Sequence, residues 1–138
     1  MLHTHRMLCC LKHLPLALML ACSSLASAAT TPQDLLANYS GQAQAPASPS
    51  RGQQFFTNTH GGEWSCASCH GAVPTKGGKH ASTGKAITPL APAFNTERFT
   101  DPAKVEKWFR RNCKDVLTRE CTAAEKADVL AWLLSLKP

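Results

Sequence analysis

Cys66-Ala67-Ser68-Cys69-His70 is the stretch from which the rest of the chain is read. Two thiols separated by two residues and followed at once by an imidazole have the spacing of c-type haem attachment. The thiols add across the two haem vinyl groups, the intervening residues supply the turn that spaces them, and the histidine reaches the iron as an axial ligand. Other uses of paired cysteines fit poorly. A zinc site needs a second pair of ligands, and no other Cys/His cluster of suitable spacing occurs; a thioredoxin-type redox motif needs a βαβ context, and the sequence offers none. The motif therefore implies one covalently attached haem c with its iron, anchored at Cys66 and Cys69 and ligated by His70.

Upstream of the motif the chain begins with an address. His3, His5, Arg6 and Lys12 form a basic start, Leu14 to Leu20 is almost wholly apolar, and Ala26-Ser27-Ala28-Ala29 supplies the small residues that signal peptidase prefers. The apolar run is short for a bilayer and is interrupted by Pro15. Residues 1–28 are expected to be a cleaved signal peptide that delivers the protein to the periplasm. The rival reading takes Leu20-Ala21-Cys22 as a weak lipobox, with a lipid anchor on Cys22, although Met19 matches that motif badly.

Removal of the leader changes the cysteine count. Cys9, Cys10 and Cys22 leave with it, so that Cys66, Cys69, Cys113 and Cys121 remain. Two of these belong to the haem motif, which leaves the other two free to pair in an oxidising compartment. Met1, Met7 and Met19 are lost as well, and the mature chain then contains no methionine. Thirteen Lys and Arg stand against nine Asp and Glu in the mature part, a modest positive excess that two haem propionates would offset in part. No pattern suggests a nucleic-acid binder, and a monomer is expected. A domain of about 110 residues buries a limited core alone, and a large apolar cofactor adds to it.

The remaining pattern is helical. Thr31-Pro32-Gln33-Asp34 opens a helix with an oxygen-bearing N-cap, a proline at the first position and an acid in the first turn; it is expected to end near Gly41. The Ala-, Ser-, Gln- and Pro-rich stretch 42–49 reads as a linker, and a second helix is expected from about Pro49 to Asn58. Residues 61–99 are rich in Gly and Pro and read as loop wrapped around the haem. Asp101-Pro102 starts a third helix with Val105, Trp108, Phe109 and Val116 at helical spacing. A fourth starts at Thr122, where Glu125 completes a capping box, and presents Ala127, Leu130, Ala131 and Leu134 on one face. The class is all-α, with no strand pattern, organised as an N-terminal helix and linker over 29–50 and a cytochrome c domain over 51–138.

The sixth iron ligand is the open question. Electron-carrying cytochromes c commonly use a methionine sulfur, which this mature chain lacks. The side chains able to take that place are His60, His80, several lysines, Asn58, Asn95 and Asn112, or the position is vacant; the residues alone rank them evenly. His60 lies ten residues before His70 and so tends to the same side of the haem, whereas Asn112 can equally be a helix C-cap.

From the Thr31-Pro32 helix to the C-terminus, the chain resembles the sphaeroides haem protein family of class I cytochromes c. The resemblance is carried by CASCH with Gly71, by Thr83-Gly84-Lys85-x-Ile87-x-Pro89-Leu90-Ala91-Pro92, and by Arg98-Phe99-Thr100-Asp101. It continues through Val105-Glu106-Lys107-Trp108 into Arg111-Asn112-Cys113, then Arg119-x-Cys121-Thr122 and Glu125-Lys126-Ala127-Asp128 to Leu130-Ala131-Trp132-Leu133. It implies a class I cytochrome c fold with helices around one haem, Asn112 as the distal ligand of ferric iron, and a disulfide between Cys113 and Cys121 beside it. It also implies that the asparagine moves away on reduction, admitting oxygen, nitric oxide or carbon monoxide. The redox partner so implied is periplasmic or membrane-bound, with a dihaem cytochrome c as one form.

Three functions follow for comparison: an electron carrier, a binder of small diatomic ligands, and a haem enzyme such as a peroxidase or a nitric oxide-converting protein. The enzyme would need a distal acid or base, for which only Arg110, Arg111 and His80 are suggestive, and surface or loop roles explain these more simply. The preferred expectation is a redox carrier whose iron site can open. Lys104, Lys107, Arg111 and Lys114, three or four residues apart, form one basic stripe on the third helix, either a solvated face or a guide for an acidic partner.

Overall fold

The computed structural model describes residues 30–138. The leader, its cleavage near Ala28 and the rival lipid site at Cys22 all lie outside the described residues. Each helix begins where a side-chain oxygen can take up a free backbone N–H. Helix α1 (Pro32–Ala43) starts with a capping box: the Asp34 N–H donates to Thr31 Oγ1 at 3.1 Å and the Thr31 N–H donates to the Asp34 carboxylate at 2.9 Å. Ser48 caps α2 (Pro49–Thr57), and Ser65 with Ser68 forms a second box on the short α3 (Cys66–His70). A two-stranded antiparallel ribbon follows, β1 (Gly78–Lys79) pairing with β2 (Ala86–Ile87). Asp101 caps α4 (Pro102–Leu117), and the box of Thr122 and Glu125 starts α5 (Ala123–Ser135).

Two local expectations are corrected. Helix α1 continues past Gly41 to Ala43, and a left-handed Gln44 ends it by donating its N–H to the Gly41 carbonyl at 3.2 Å. A glycine inside a helix costs only about 1 kcal/mol against alanine, and the packing of this helix on α5 outweighs that. The ribbon was not expected because two residues per strand are too few to show alternation. It forms because the loop folds back on the haem motif: a Cβ on Gly78 would run into the Cys69 carbonyl, so only glycine allows β1 to lie against α3.

The core is built on α5. Leu130 and Leu133 are fully buried, with Ala127, Val129 and Trp132 nearly so, and α1 and α2 both lie along this helix, contributing Leu35, Tyr39 and Phe56. Where α2 meets α5 the backbones almost touch, and a Cβ on Gly52 would collide with the Asp128 carbonyl. The buried Asp128 carboxylate locks the crossing by accepting the Ser48 N–H at 2.6 Å and the Arg51 guanidinium at 2.7 and 2.8 Å. Both of its oxygens are satisfied, as a buried charge requires. Helix α4 is different, meeting the other helices through a few side chains only. Among the described residues no helix is long and apolar enough to cross a membrane.

Gly52→Ala is expected to force α2 off α5 and to destabilise the holoprotein by about 1–3 kcal/mol, the usual range for overpacking a tight contact. Denaturant unfolding followed by far-ultraviolet circular dichroism measures this, and an unchanged midpoint would contradict the close crossing.

Candidate haem site

The motif is presented by α3, a single capped turn that its own sequence builds. The Ser65 hydroxyl accepts the Ser68 N–H at 3.2 Å and the Ser68 hydroxyl accepts the Ser65 N–H at 3.0 Å. Gly71, with φ +80°, donates its N–H to the Ala67 carbonyl at 2.8 Å and turns the chain away directly after His70. Cys66 and Cys69 are both unpaired and half-buried. The Ala81 N–H points at Cys69 Sγ, 3.3 Å away, tying the ribbon loop to the motif. Burial pushes the Cys66 thiol up to about 11.

His70 faces the core. Its ring lies 6.1 Å from that of Phe56 on α2, which packs at 4.9 Å on Trp132 of α5. Burial, assisted by the nearby Arg98 guanidinium, pushes the imidazole down to about 4. It is therefore neutral at physiological pH and keeps the lone pair that an iron ligand needs. Two available thiols and a neutral imidazole on one turn are a donor set that suits a haem c.

Arg98 is a contributor that sequence reasoning left without a role. Its Nε donates to the Pro89 carbonyl at 2.9 Å, and its Nη2 donates to the Thr88 carbonyl at 2.9 Å and to the Thr88 hydroxyl at 2.8 Å. The Leu90 and Ala91 N–H groups donate to the carbonyl of the buried Pro74 at 3.1 Å each. Phe99 then takes a left-handed φ of +62° while its side chain is buried, a conformation that a bulky residue adopts only when its surroundings impose it. The long loop after the motif is thus pinned at Pro74, at Thr88 and Pro89, and at Arg98. Its position in the run Arg98-Phe99-Thr100-Asp101, just ahead of a helix cap, was the available signal.

The candidates for the distal ligand separate by their partners. His60 Nε2 is 2.8 Å from the Phe55 carbonyl, and its ring packs on Phe55. Asn58 Oδ1 accepts the His60 N–H at 2.7 Å, His80 Nδ1 lies 3.2 Å from the Ser82 hydroxyl, and the Asn95 amide donates to Thr88 Oγ1 and the Pro89 carbonyl. Asn112 is half-buried on α4, and among the described residues its side chain makes no hydrogen bond. The next residue, Cys113, forms a disulfide with Cys121 across a Cα–Cα distance of 5.6 Å, joining α4 to the segment before α5. The groups considered for enzymatic chemistry each have their own neighbour: Arg110 Nε is 3.7 Å from Glu120, and the Arg111 guanidinium stacks 5.2 Å above the Trp108 ring. Lys104, Lys107, Arg111 and Lys114 are all exposed along α4.

A helical fold that packs a half-buried histidine and two cysteines on one capped turn against its core is the architecture of a c-type cytochrome. Residues 42–133 match the family described as Domain of unknown function (DUF1924). The chain is 50% identical over 108 residues to cytochrome c-type protein SHP of Cereibacter sphaeroides, spanning 75% of this chain and 83% of that one. The structure of oxidised SHP, an oxygen-binding cytochrome c, matches with a TM-score of 0.72 at 49% identity, covering 78% of this chain and 99% of that one. The solution structure of cytochrome c'' from Methylophilus methylotrophus, concerned with haem-ligand detachment, matches with a TM-score of 0.66 at 40% identity, covering 78% of this chain and 94% of that one. This chain belongs to the sphaeroides haem protein family, and as a c-type cytochrome it carries covalently bound haem c with its iron.

Cys66→Ala and Cys69→Ala are each expected to leave the haem held by one thioether, and the double variant by none. Acid-acetone extraction should then release the haem from the double variant and retain it on the unmutated chain. Free extraction from unmutated protein would contradict the role given to both cysteines.

Proposed function

We propose that this protein is an exported, single-haem electron carrier whose distal ligand, Asn112, opens on reduction so that a small diatomic molecule such as oxygen, nitric oxide or carbon monoxide can bind. The observation that carries the proposal is the freedom of the Asn112 amide, where the Asn58 oxygen, His60 Nε2 and the Asn95 amide are engaged elsewhere and His80 is held only through Nδ1. When bound, the haem would supply an iron that changes charge by one electron, with His70 and Asn112 as the residues that would hold it. His70 holds the proximal side, and Cys66 and Cys69 keep the cofactor in place when the distal side changes. An amide oxygen is a hard, weak donor that favours ferric over ferrous iron, so reduction loosens Asn112 and not His70.

The disulfide serves this arrangement. Joining Cys113 to Cys121, eight residues apart, restricts the unfolded chain by about 2.5 kcal/mol in the chain-entropy picture, and it limits where the residue next to Asn112 can go. It also supports export, since such bonds persist in oxidising compartments such as the periplasm. The oxygen binding of SHP and the ligand detachment of cytochrome c'' agree with the proposal. A haem enzyme finds less support, because Arg110, Arg111 and His80 each have a separate structural partner.

Asn112→Ala is expected to convert the ferric absorption spectrum towards high-spin while leaving the ferrous and carbon monoxide-treated spectra nearly unchanged. The same change appearing in His80→Ala, with Asn112→Ala silent, would transfer the role to the histidine.

The exposed row of Lys104, Lys107, Arg111 and Lys114 fits an acidic redox partner, of which a dihaem cytochrome is one form, through electrostatic steering that fades with salt. Lys104→Glu combined with Lys107→Glu should slow reduction by such a partner and flatten its ionic-strength dependence, with haem content unaltered. Stopped-flow rates across a salt series decide this; equal slopes for variant and parent would leave the row a solvated helix face.

A further inference from the structure

Helix α4 carries Asn112 yet touches the other helices sparingly among the described residues, so whatever anchors it decides where the amide sits. One anchor is the disulfide directly after Asn112. The other is a polar junction nearer the start of the helix. The Glu106 carboxylate accepts the Tyr39 hydroxyl of α1 at 2.6 Å through one oxygen and the Lys126 ammonium of α5 at 2.7 Å through the other. The Lys126 ammonium also lies 5.4 Å above the Tyr39 ring and 5.8 Å above that of Phe109, and these two rings meet edge-on at 5.9 Å. The side chain of Lys126 is 16% exposed, that of Glu106 39%, and Tyr39 is 2% exposed, so the junction lies half-buried at the edge of the core. Burial and the adjoining carboxylate raise the Tyr39 hydroxyl far above its ordinary range, which keeps it a donor. For Glu106, burial acts upward, but the bonds from Lys126 and Tyr39 outweigh it and leave the carboxyl below its ordinary value, ionised at neutral pH.

We propose that Glu106, held between Tyr39 and Lys126, is a positioning residue for the distal ligand: it fixes the tilt of α4 and thereby sets how firmly Asn112 holds ferric iron. This rests on the distal role proposed for Asn112. Glu106 and Asn112 lie six residues, about 9 Å, apart along the helix. With the far end held at Cys113 by the disulfide, the junction at Glu106 fixes the direction of the helix axis and so the orientation in which the Asn112 amide is presented.

Two conservative variants test it. Tyr39→Phe removes one hydroxyl and keeps the ring, and Lys126→Gln removes the charge and keeps most of the length. In holoprotein, both are expected to weaken ferric ligation by Asn112, which is read in three ways. The ferric spectrum gains a high-spin component, the apparent affinity of ferric protein for added imidazole rises at least about fivefold, and the reduction midpoint rises. The sign of the last change is decisive for Lys126→Gln, because losing a positive charge by itself disfavours the reduced iron and would lower the midpoint. In an Asn112→Ala background the same substitutions should leave spectrum and imidazole affinity unmoved.

Unchanged imidazole affinity in both variants, with full haem content, would overturn the positioning role. So would an effect that persists in the Asn112→Ala background, or a lowered midpoint in Lys126→Gln. If Asn112→Ala alone leaves the ferric spectrum as it was, the distal role itself has failed, which distinguishes that outcome from a failure of the junction.

Discussion

The distance between α2 and α5 governs the rest of the molecule. With no side chain at Gly52, the two backbones meet at Asp128, and the buried Asp128 carboxylate ties the start of α2 to the middle of α5 by accepting Ser48 and Arg51 donors. At that separation Phe56 reaches Trp132 and also lies beside the His70 ring. Because interiors are close-packed, a helix displaced at one crossing shifts every side chain that packs across it. The histidine expected to hold the iron is therefore placed by a contact some way along the helix from the motif itself.

The two sides of the site are built differently. The proximal side is held by a capped turn, the α2–α5 core and a loop pinned by Arg98. The distal side, on the role proposed for Asn112, would depend on α4, which is attached through the Tyr39–Glu106–Lys126 junction, the apolar contacts of Val105 and Phe109, and the disulfide. Stability within a domain is unevenly distributed, and parts that must move are drawn from the weakly packed elements. The proposed release of Asn112 with retention of His70 would use such a division of rigidity.

How legible these features were depended on the range of the interaction responsible. Thr31, Asp101 and Thr122 were readable as helix starts because a cap is satisfied within three residues of its own position. The two residues of α1 beyond Gly41 were not readable, since packing on α5 overrides the local cost of glycine. Nor was the ribbon, whose cause is the approach of Gly78 to the Cys69 carbonyl. Arg98 was visible as part of a recognisable run but had no role until Thr88 and Pro89 were folded against it.

The sequence by itself determined the cofactor and the all-α class. Covalent haem attachment needs five consecutive residues, and helix caps need four, so both are complete within a short stretch of chain. The residues alone left His60, His80, several lysines, Asn58, Asn95, Asn112 or a vacant position for the distal place, and only the resemblance pointed to Asn112, for nothing in linear order says which polar group is already occupied. Only the tertiary structure showed that Asn58, His60, His80 and Asn95 each hold a hydrogen-bond partner and that Asn112, among the described residues, holds none, on a helix anchored at a disulfide and a half-buried ion pair. Hydrogen-bond satisfaction is a property of groups brought together from distant parts of the chain, and folding alone brings them together.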